Sequence, residues 1–238
     1  MSHVLRTAVI FDLDGTLLDT LADLADSMNA VLEGLGLPPH PVDAYRTHVG
    51  DGIASLVRRA LPPDWHDRVH HEPGFLERCV DSMRAAYELR WATKTAPYPG
   101  ITELLRELDT RGVRMAVLSN KPDVFTAKIV AHFLGSVRFR AVIGAREGVP
   151  RKPDPAGARE ALRIMGAGED ETLYVGDSST DMDTARGAGL VSVGVLWGFR
   201  SKEELLEHGA HHLVERPREL LRFFPRGPDP GVPLPASP

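Results

Sequence analysis

Short apolar runs and stretches of helical periodicity divide the chain between them. The runs at 7–12 (TAVIFD), 113–118 (VRMAVL), 139–143 (FRAVI), 172–176 (TLYVG) and 190–196 (LVSVGVL) have the length and β-branched content of strands. After residue 97 they alternate with helix-like segments, the signature of a parallel sheet joined by crossover helices. Residues 20–92 read as helical throughout. TLADLADSMNAVLEGLGL sets Leu21, Leu24, Met28, Val31, Leu32 and Leu35 at helical spacing, with Gly34 and Gly36 as terminators. GIASLVRRALP and FLERCVDSMRAAYELRW continue the pattern. The expected fold is α/β: a Rossmann-like parallel-sheet core from 1–18 and 97–224, with an inserted α-helical cap domain at 19–96. The chain would return to the core at TAPYPG, whose prolines mark the second linker. The segment 225–238 is rich in Pro, Gly and small residues and reads as a tail without a core of its own.

Three of the strands end beside polar residues, Asp12, Ser119 and Asp177. Ligands of open α/β sheets lie beyond the carboxyl ends of the strands, so these three residues should converge on one crevice. A helical insert leaving just after Asp12 would cover that crevice as a lid, excluding water and selecting substrate. Asp12 and Asp14 are two residues apart, so at a strand end both carboxylates face the same side. Like charges that close repel unless a cation lies between them or one carboxyl keeps its proton. Gly15 allows a turn or a close backbone approach, and Thr16 adds a hydroxyl. A plain surface turn would use the same residue types.

Composition narrows the function. The chain has 238 residues, 42% hydrophobic and 26% charged, with a net charge of −5, so no general basic field invites nucleic acid. Any anion site must be local. Only five of its 28 basic residues are lysines, at 94, 121, 128, 152 and 202. The single Cys79 cannot form an internal disulfide. No stretch approaches the roughly 18 apolar residues of a spanning helix, and the N-terminus lacks a signal-peptide pattern. These features lead us to expect a cytoplasmic protein, a monomer or homodimer, without membrane or nucleic-acid partners.

FDLDGTLLDT resembles the first motif of the haloacid dehalogenase superfamily of phosphatases. Ser119 in VLSNKP resembles its second motif, Lys152 in PRKPDP its third, and Asp177 with Asp181 in VGDSSTDM its fourth, in the family's order. The helical insert between the first and second motifs matches the subgroup with a cap at that position. The resemblance implies that Asp12 attacks the phosphorus of a phosphomonoester and becomes an aspartyl phosphate. Asp14 would protonate the leaving alkoxide and later take a proton from water. Mg²⁺ would be held by Asp12, the main-chain carbonyl of Asp14, and Asp177, with Asp181 either reaching it through water or capping a helix near Met182. In this scheme Mg²⁺ neutralises one aspartate of the pair and a raised pKa lets the other carry a proton. Ser119 and Lys152 would hold the phosphoryl oxygens, with Thr16 and Asn120 nearby.

Other residues have local explanations. In KPDP, Asp154 has the position of an N-cap and Pro155 that of the first helical residue, which leaves Lys152 unexplained. The T-x-x-D spacing of Thr20 and Asp23 predicts a capping box, which keeps Asp19 and Thr20 out of the site. His66, His70 and His71 in HDRVHH read as a solvated helix face rather than a metal site.

The cap should set substrate choice. VGDG at 49–52 resembles the cap loop of bacterial phosphoglycolate phosphatases, and the SNKP, GDSSTDM and C-terminal segments are similar to theirs. Gly50, Asp51 and Gly52 would bring backbone amides to a small anion at a helix N-terminus, although Asp51 also fits as a plain N-cap. Arg46 and His48 are candidates for a substrate carboxylate. The small phosphorylated metabolite implied is 2-phosphoglycolate. A sugar-phosphate mutase, a nucleotide or pyrophosphate hydrolase, and a non-catalytic binding module remain as alternatives. Asp14 separates the chain from dehalogenases, and the absence of lysine before residue 94 speaks against Schiff-base phosphonate cleavage.

Overall fold

The computed structural model describes residues 6–224. The proline-rich 225–238 segment lies outside the described residues. From the N-terminus the chain forms β1 (Ala8–Phe11), β2 (Leu18–Asp19) and α1 (Leu21–Gly34). A 3-10 turn at Val42–Thr47 leads into α2 (Ile53–Ala60), α3 (His66–His71) and α4 (Phe75–Glu88), which complete the helical insert. β3 (Ala96–Pro97) pairs antiparallel with β2, so the two linkers leave and return side by side. The core resumes with α5 (Ile101–Thr110), β4 (Arg114–Pro122), α6 (Asp123–Leu134), β5 (Phe139–Ala145) and α7 (Ala156–Met165). It ends with β6 (Thr172–Gly176), α8 (Ser179–Gly187), β7 (Val191–Val195), α9 (Lys202–Glu207) and β8 (His212–Val214).

The main sheet has six strands in the order β5-β4-β1-β6-β7-β8. All its pairings are parallel. β1 is central because both its faces are covered. Val9 and Phe11 pack into the apolar cluster that runs on into the helical insert, while Ala8 and Ile10 face Ala158, Ala161 and Tyr174 on the other side. Burying a side chain such as Ile10 or Phe11 is worth about 1.5–3 kcal/mol. A polar substitution here would also leave its polar group without a partner. The strand order reverses at β1, so the crevice opens beyond its carboxyl end.

Several sequence expectations shift. β4 runs on to Pro122 rather than stopping at Leu118, with an irregular register between those residues. Ser119, Asn120 and Lys121 therefore sit on a bulged strand end that re-aims side chains. β8 is too short and polar to stand out from sequence. Helix α7 begins at Ala156 with Pro155 in the cap position; the Asp154 carboxylate accepts from the Ala156 N–H at 2.8 Å, one residue earlier than a true N-cap.

The capping box at α1 does not form. Thr20 makes no side-chain cap bond. Asp23, 1% exposed, instead accepts main-chain N–H bonds from Thr93, Lys94 and Thr95 and a hydroxyl bond from Thr95. The aspartate that looked like a helix cap fastens the returning linker to the first insert helix.

Candidate active site

Asp12 follows β1, and Asp177 follows β6, its neighbour in the sheet. With Asp181 on α8 they offer oxygens that all lie within 4.8 Å of one another, and all three residues are buried. Lys152 reaches into this group from the loop before α7. Its ammonium donates to Asp12 Oδ1 at 2.7 Å and to Asp181 Oδ1 at 2.8 Å. Three carboxylates around one ammonium leave an excess of negative charge.

Burial first, and then repulsion from Asp181, push the Asp12 carboxyl well above its usual range against the pull of Lys152. Asp177 is pushed up to about 7, again by burial and then by Asp181, while the Phe199 N–H opposes the shift. Burial works against the Lys152 ammonium, but Asp12 and Asp181 outweigh it and hold its proton firmly. A buried, all-oxygen, over-negative set fits a hard divalent cation such as Mg²⁺. Among the described residues this is the group of acidic, His or Cys side chains close enough to hold one.

The surrounding backbone is shaped to this cluster. Gly15 has φ +87°, and a Cβ there would stand 2.3 Å from Asp177 Oδ2. Glycine alone satisfies both the turn and the close approach. Asp181 has a second duty as the third residue of α8: its Oδ2 accepts from the Ser178 N–H at 3.2 Å and from the Ser178 hydroxyl at 2.7 Å. The helix begins at Ser179 rather than near Met182, so Asp181 is not the cap itself but the reciprocal partner of the Ser178 cap, and the same side chain belongs to the carboxylate cluster.

Asp14 stands apart from the three carboxylates. Its Oδ1 accepts from the Thr20 hydroxyl at 2.8 Å, and its Oδ2 lies 3.1 Å from Lys121 Nζ. Lys121 also donates to the Tyr87 hydroxyl at 3.2 Å and lies 4.6 Å from the centre of that ring. Burial opposes its charge, and Asp14 and Tyr87 more than restore it.

A cavity of about 70 Å³ joins these groups beneath the helical insert. Asp12, Asp14, Ser119, Asn120, Lys121 and Asp177 line it from the core. Leu24, Gly50, Gly52, Ile53, Leu56 and Tyr87 line it from the insert.

The remaining sequence candidates have other partners. Thr16 is fully buried behind the cavity wall and its hydroxyl points to Asp177 Oδ1 at 3.3 Å. Asn120 lines the cavity, but its amide is occupied: Nδ2 donates to the carbonyls of Gly50 and Lys152, each at 3.1 Å, and Oδ1 accepts from the Lys152 N–H at 3.0 Å. It ties the cap loop to the lysine loop. Asp51 is not the cap of α2, since Gly52 takes that position. Its carboxylate bonds to Arg59 and, at 3.0 Å, to the Thr180 hydroxyl across the insert–core boundary. Arg46 does not line the cavity and donates to the Gly198 carbonyl at 3.0 Å. His48 packs edge-on against Tyr45 and His40. His70 and His71 are exposed on α3.

Three contributors escaped the sequence reading: Thr20, Lys121 and Tyr87. For Lys121 the signal existed, because it stands two residues after Ser119 and lysines are scarce, the same alternation that paired Asp12 with Asp14. Tyr87 carried none, being one aromatic residue on an amphipathic helix.

A family model for haloacid dehalogenase-like hydrolases matches residues 7–189. A phosphoglycolate phosphatase of Pseudomonas syringae pv. tomato is 33% identical over 213 residues, covering 90% of this chain and 78% of that protein. One from Neisseria meningitidis serogroup A is 35% identical over 192 residues, 81% of each chain. A crystal structure from Lactobacillus delbrueckii subsp. bulgaricus superposes with a TM-score of 0.83 at 31% identity, covering 93% of this chain and 99% of that one. With the parallel sheet, the helical insert and the motif residues gathered at the strand ends, the chain belongs to the haloacid dehalogenase-like hydrolases, among which it resembles the phosphatases.

Proposed function

We propose that the protein is a divalent-cation-dependent phosphomonoester hydrolase whose preferred substrate is 2-phosphoglycolate. The observation that carries the reading is the pairing of Asp12 with Lys152 at 2.7 Å, at the floor of a cavity closed by the helical insert. Asp12 attacks phosphorus, and the P–O bond to the leaving alkoxide breaks as the acyl phosphate forms. Lys152 fixes the attacking carboxylate through Oδ1 and offers positive charge to the phosphoryl oxygens, with the Ser119 hydroxyl as a neutral donor. Asp14 gives its proton to the alkoxide. In the second half it takes a proton from the water that attacks phosphorus, and Asp12 is released unchanged. The Thr20 hydroxyl and the Lys121 ammonium hold the Asp14 carboxyl in position for both transfers.

Asp12, Asp177, Asp181 and the main-chain carbonyl of Asp14 would hold Mg²⁺. When bound, the ion offsets the charge of the phosphoryl group and the carboxylates. The substrate assignment is supported by relatives named phosphoglycolate phosphatase in Pseudomonas and Neisseria. No helix among the described residues is long and apolar enough to cross a membrane.

The test is phosphate release from 2-phosphoglycolate, sugar phosphates, a nucleotide, pyrophosphate and p-nitrophenyl phosphate, with Mg²⁺ and after EDTA. The expected result is Mg²⁺-dependent turnover with the highest kcat/KM on 2-phosphoglycolate, lost in Asp12→Asn. Turnover that survives EDTA or Asp12→Asn refutes the mechanism, and a higher kcat/KM on another ester refutes the substrate.

A further inference from the structure

We propose that Lys121 is the specificity-determining residue for the leaving group, its remaining N–H receiving the carboxylate of a phosphorylated 2-hydroxy acid. The inference deepens the phosphomonoesterase reading above and rests on it. An ammonium has three N–H donors. At Lys121 one is directed to Asp14 Oδ2 and one to the Tyr87 hydroxyl; among the described residues no third partner is present, and the side chain lines the cavity.

Position follows from the chemistry. Asp14 must touch the ester oxygen to give it a proton, at roughly 2.6–3.2 Å. In 2-phosphoglycolate the carboxyl carbon is two bonds from that oxygen, roughly 2.4 Å away. Lys121 Nζ, 3.1 Å from Asp14 Oδ2, is within reach of the carboxylate once the ester oxygen meets Asp14. One ammonium then spans the proton-transfer group and the substrate's charge.

The other cations around the cavity are less suited. Lys152 is committed to Asp12 and Asp181 on the phosphate side. Arg200 is spent on the carbonyls of Arg46, Thr47 and Val49 and on Glu204. Arg84 is half-exposed and paired with Asp81. Much of the insert-side wall is apolar, from Leu24, Ile53 and Leu56. A carboxylate entering this cavity meets one deeply buried cation on the leaving-group side, with its side chain 6% exposed. A desolvated charge-assisted bond of this kind discriminates strongly against a substrate that lacks the acceptor.

The experiment compares kcat/KM for 2-phosphoglycolate with that for ethyl phosphate, which has the same two carbons and no carboxylate. The wild type should favour 2-phosphoglycolate by about ten- to a hundredfold. Lys121→Met should bring the ratio close to one, with the loss on 2-phosphoglycolate mainly in KM, and Lys121→Arg should restore part of it. Any effect of these changes on Asp14 acts on both esters and cancels in the ratio. A wild type that turns over both esters equally overturns the inference and leaves the phosphatase reading intact, without needing a variant to fold. So does a ratio that survives Lys121→Met, or one that collapses in Arg84→Met instead. A wild type with no turnover of any phosphomonoester overturns both readings.

Discussion

Thr20 donates its hydroxyl to Asp14 Oδ1 at 2.8 Å, across the point where the chain leaves the core for the helical insert. The bond fixes the carboxylate expected to move the proton, and it involves a residue that would otherwise have capped α1. Thr20→Val keeps the shape and removes the donor. Turnover of 2-phosphoglycolate should fall by about tenfold, the worth of one hydrogen bond to a charged group. Hydrolysis of p-nitrophenyl phosphate should fall less, because nitrophenolate departs without a proton. Steady-state kinetics on the two substrates check this; equal losses would mean that Thr20 acts on something other than proton transfer.

Asp23 makes a different prediction, for stability. Asp23→Ala leaves the N–H groups of Thr93, Lys94 and Thr95 without their acceptor at the second linker. Each unpaired buried donor costs about 1–3 kcal/mol. Allowing for water reaching some of them, the loss should be about 2–4 kcal/mol, and Tm should drop by roughly 4–16 °C for a chain of this length. Thermal unfolding measures it. Hydrogen exchange should speed up most at residues 93–95, and uniform exchange across the molecule would argue against a linker staple.

The contrast between these two residues shows what the sequence made legible. β1, β4, β6 and β7 could be read because strands buried along almost their whole length are nearly unbroken apolar runs, β5 at the sheet edge because its short FRAVI run still has strand composition, and the strand ends pointed to Asp12, Ser119 and Asp177. Thr20 and Asp23 were misread because T-x-x-D is a local pattern, whereas their partners lie 6 residues back and 70 to 72 residues ahead. Thr16, Asp51 and Arg46 were taken as substrate contacts for the same reason. Their chemistry suits an anion, but tertiary contacts with Asp177, Thr180 and Gly198 claim them first. Residue type and spacing located the centre of the site; its outer contacts depend on how the insert docks.

Metal binding should be coupled to pH through Asp177. Its carboxyl is raised from 3.8 to about 7 by burial and by Asp181. Between those values the folded chain binds a proton that the unfolded chain has released, so this group's contribution to stability falls as pH rises through that window. A cation favours the ionised carboxylates and competes with that proton. Mg²⁺ should therefore raise Tm more at pH 8 than at pH 5.5. At a hundredfold excess over Kd the gain is about 2.7 kcal/mol, or roughly 5–11 °C. The Mg²⁺-induced difference is the quantity to compare, because His48 and His212, both lowered by burial, weaken the fold as pH falls through the histidine range. An equal Mg²⁺ effect at both pH values would mean the ion binds elsewhere.

Gly198 offers a test of the same site that leaves every candidate ligand in place. Its carbonyl accepts from Arg46, and the next residue's N–H donates to Asp177 Oδ2 at 2.7 Å. A Cβ on Gly198 would lie 2.3 Å from Asp177 Cβ and 2.6 Å from the Gly15 carbonyl oxygen. Neither neighbour is the free end of a flexible chain, so Gly198→Ala must move the 198–200 loop or displace Asp177. Overpacking of this kind costs about 1–3 kcal/mol. The variant should thus fold, with Tm lowered by roughly 2–12 °C. Its Mg²⁺-induced rise in Tm should shrink or vanish, and turnover should fall with it, because Asp177 no longer aligns with Asp12 and Asp181. A variant that melts lower yet keeps the full Mg²⁺ response would show that the loop yields and the carboxylates do not, and would remove the 198–200 loop from any part in shaping the cation site.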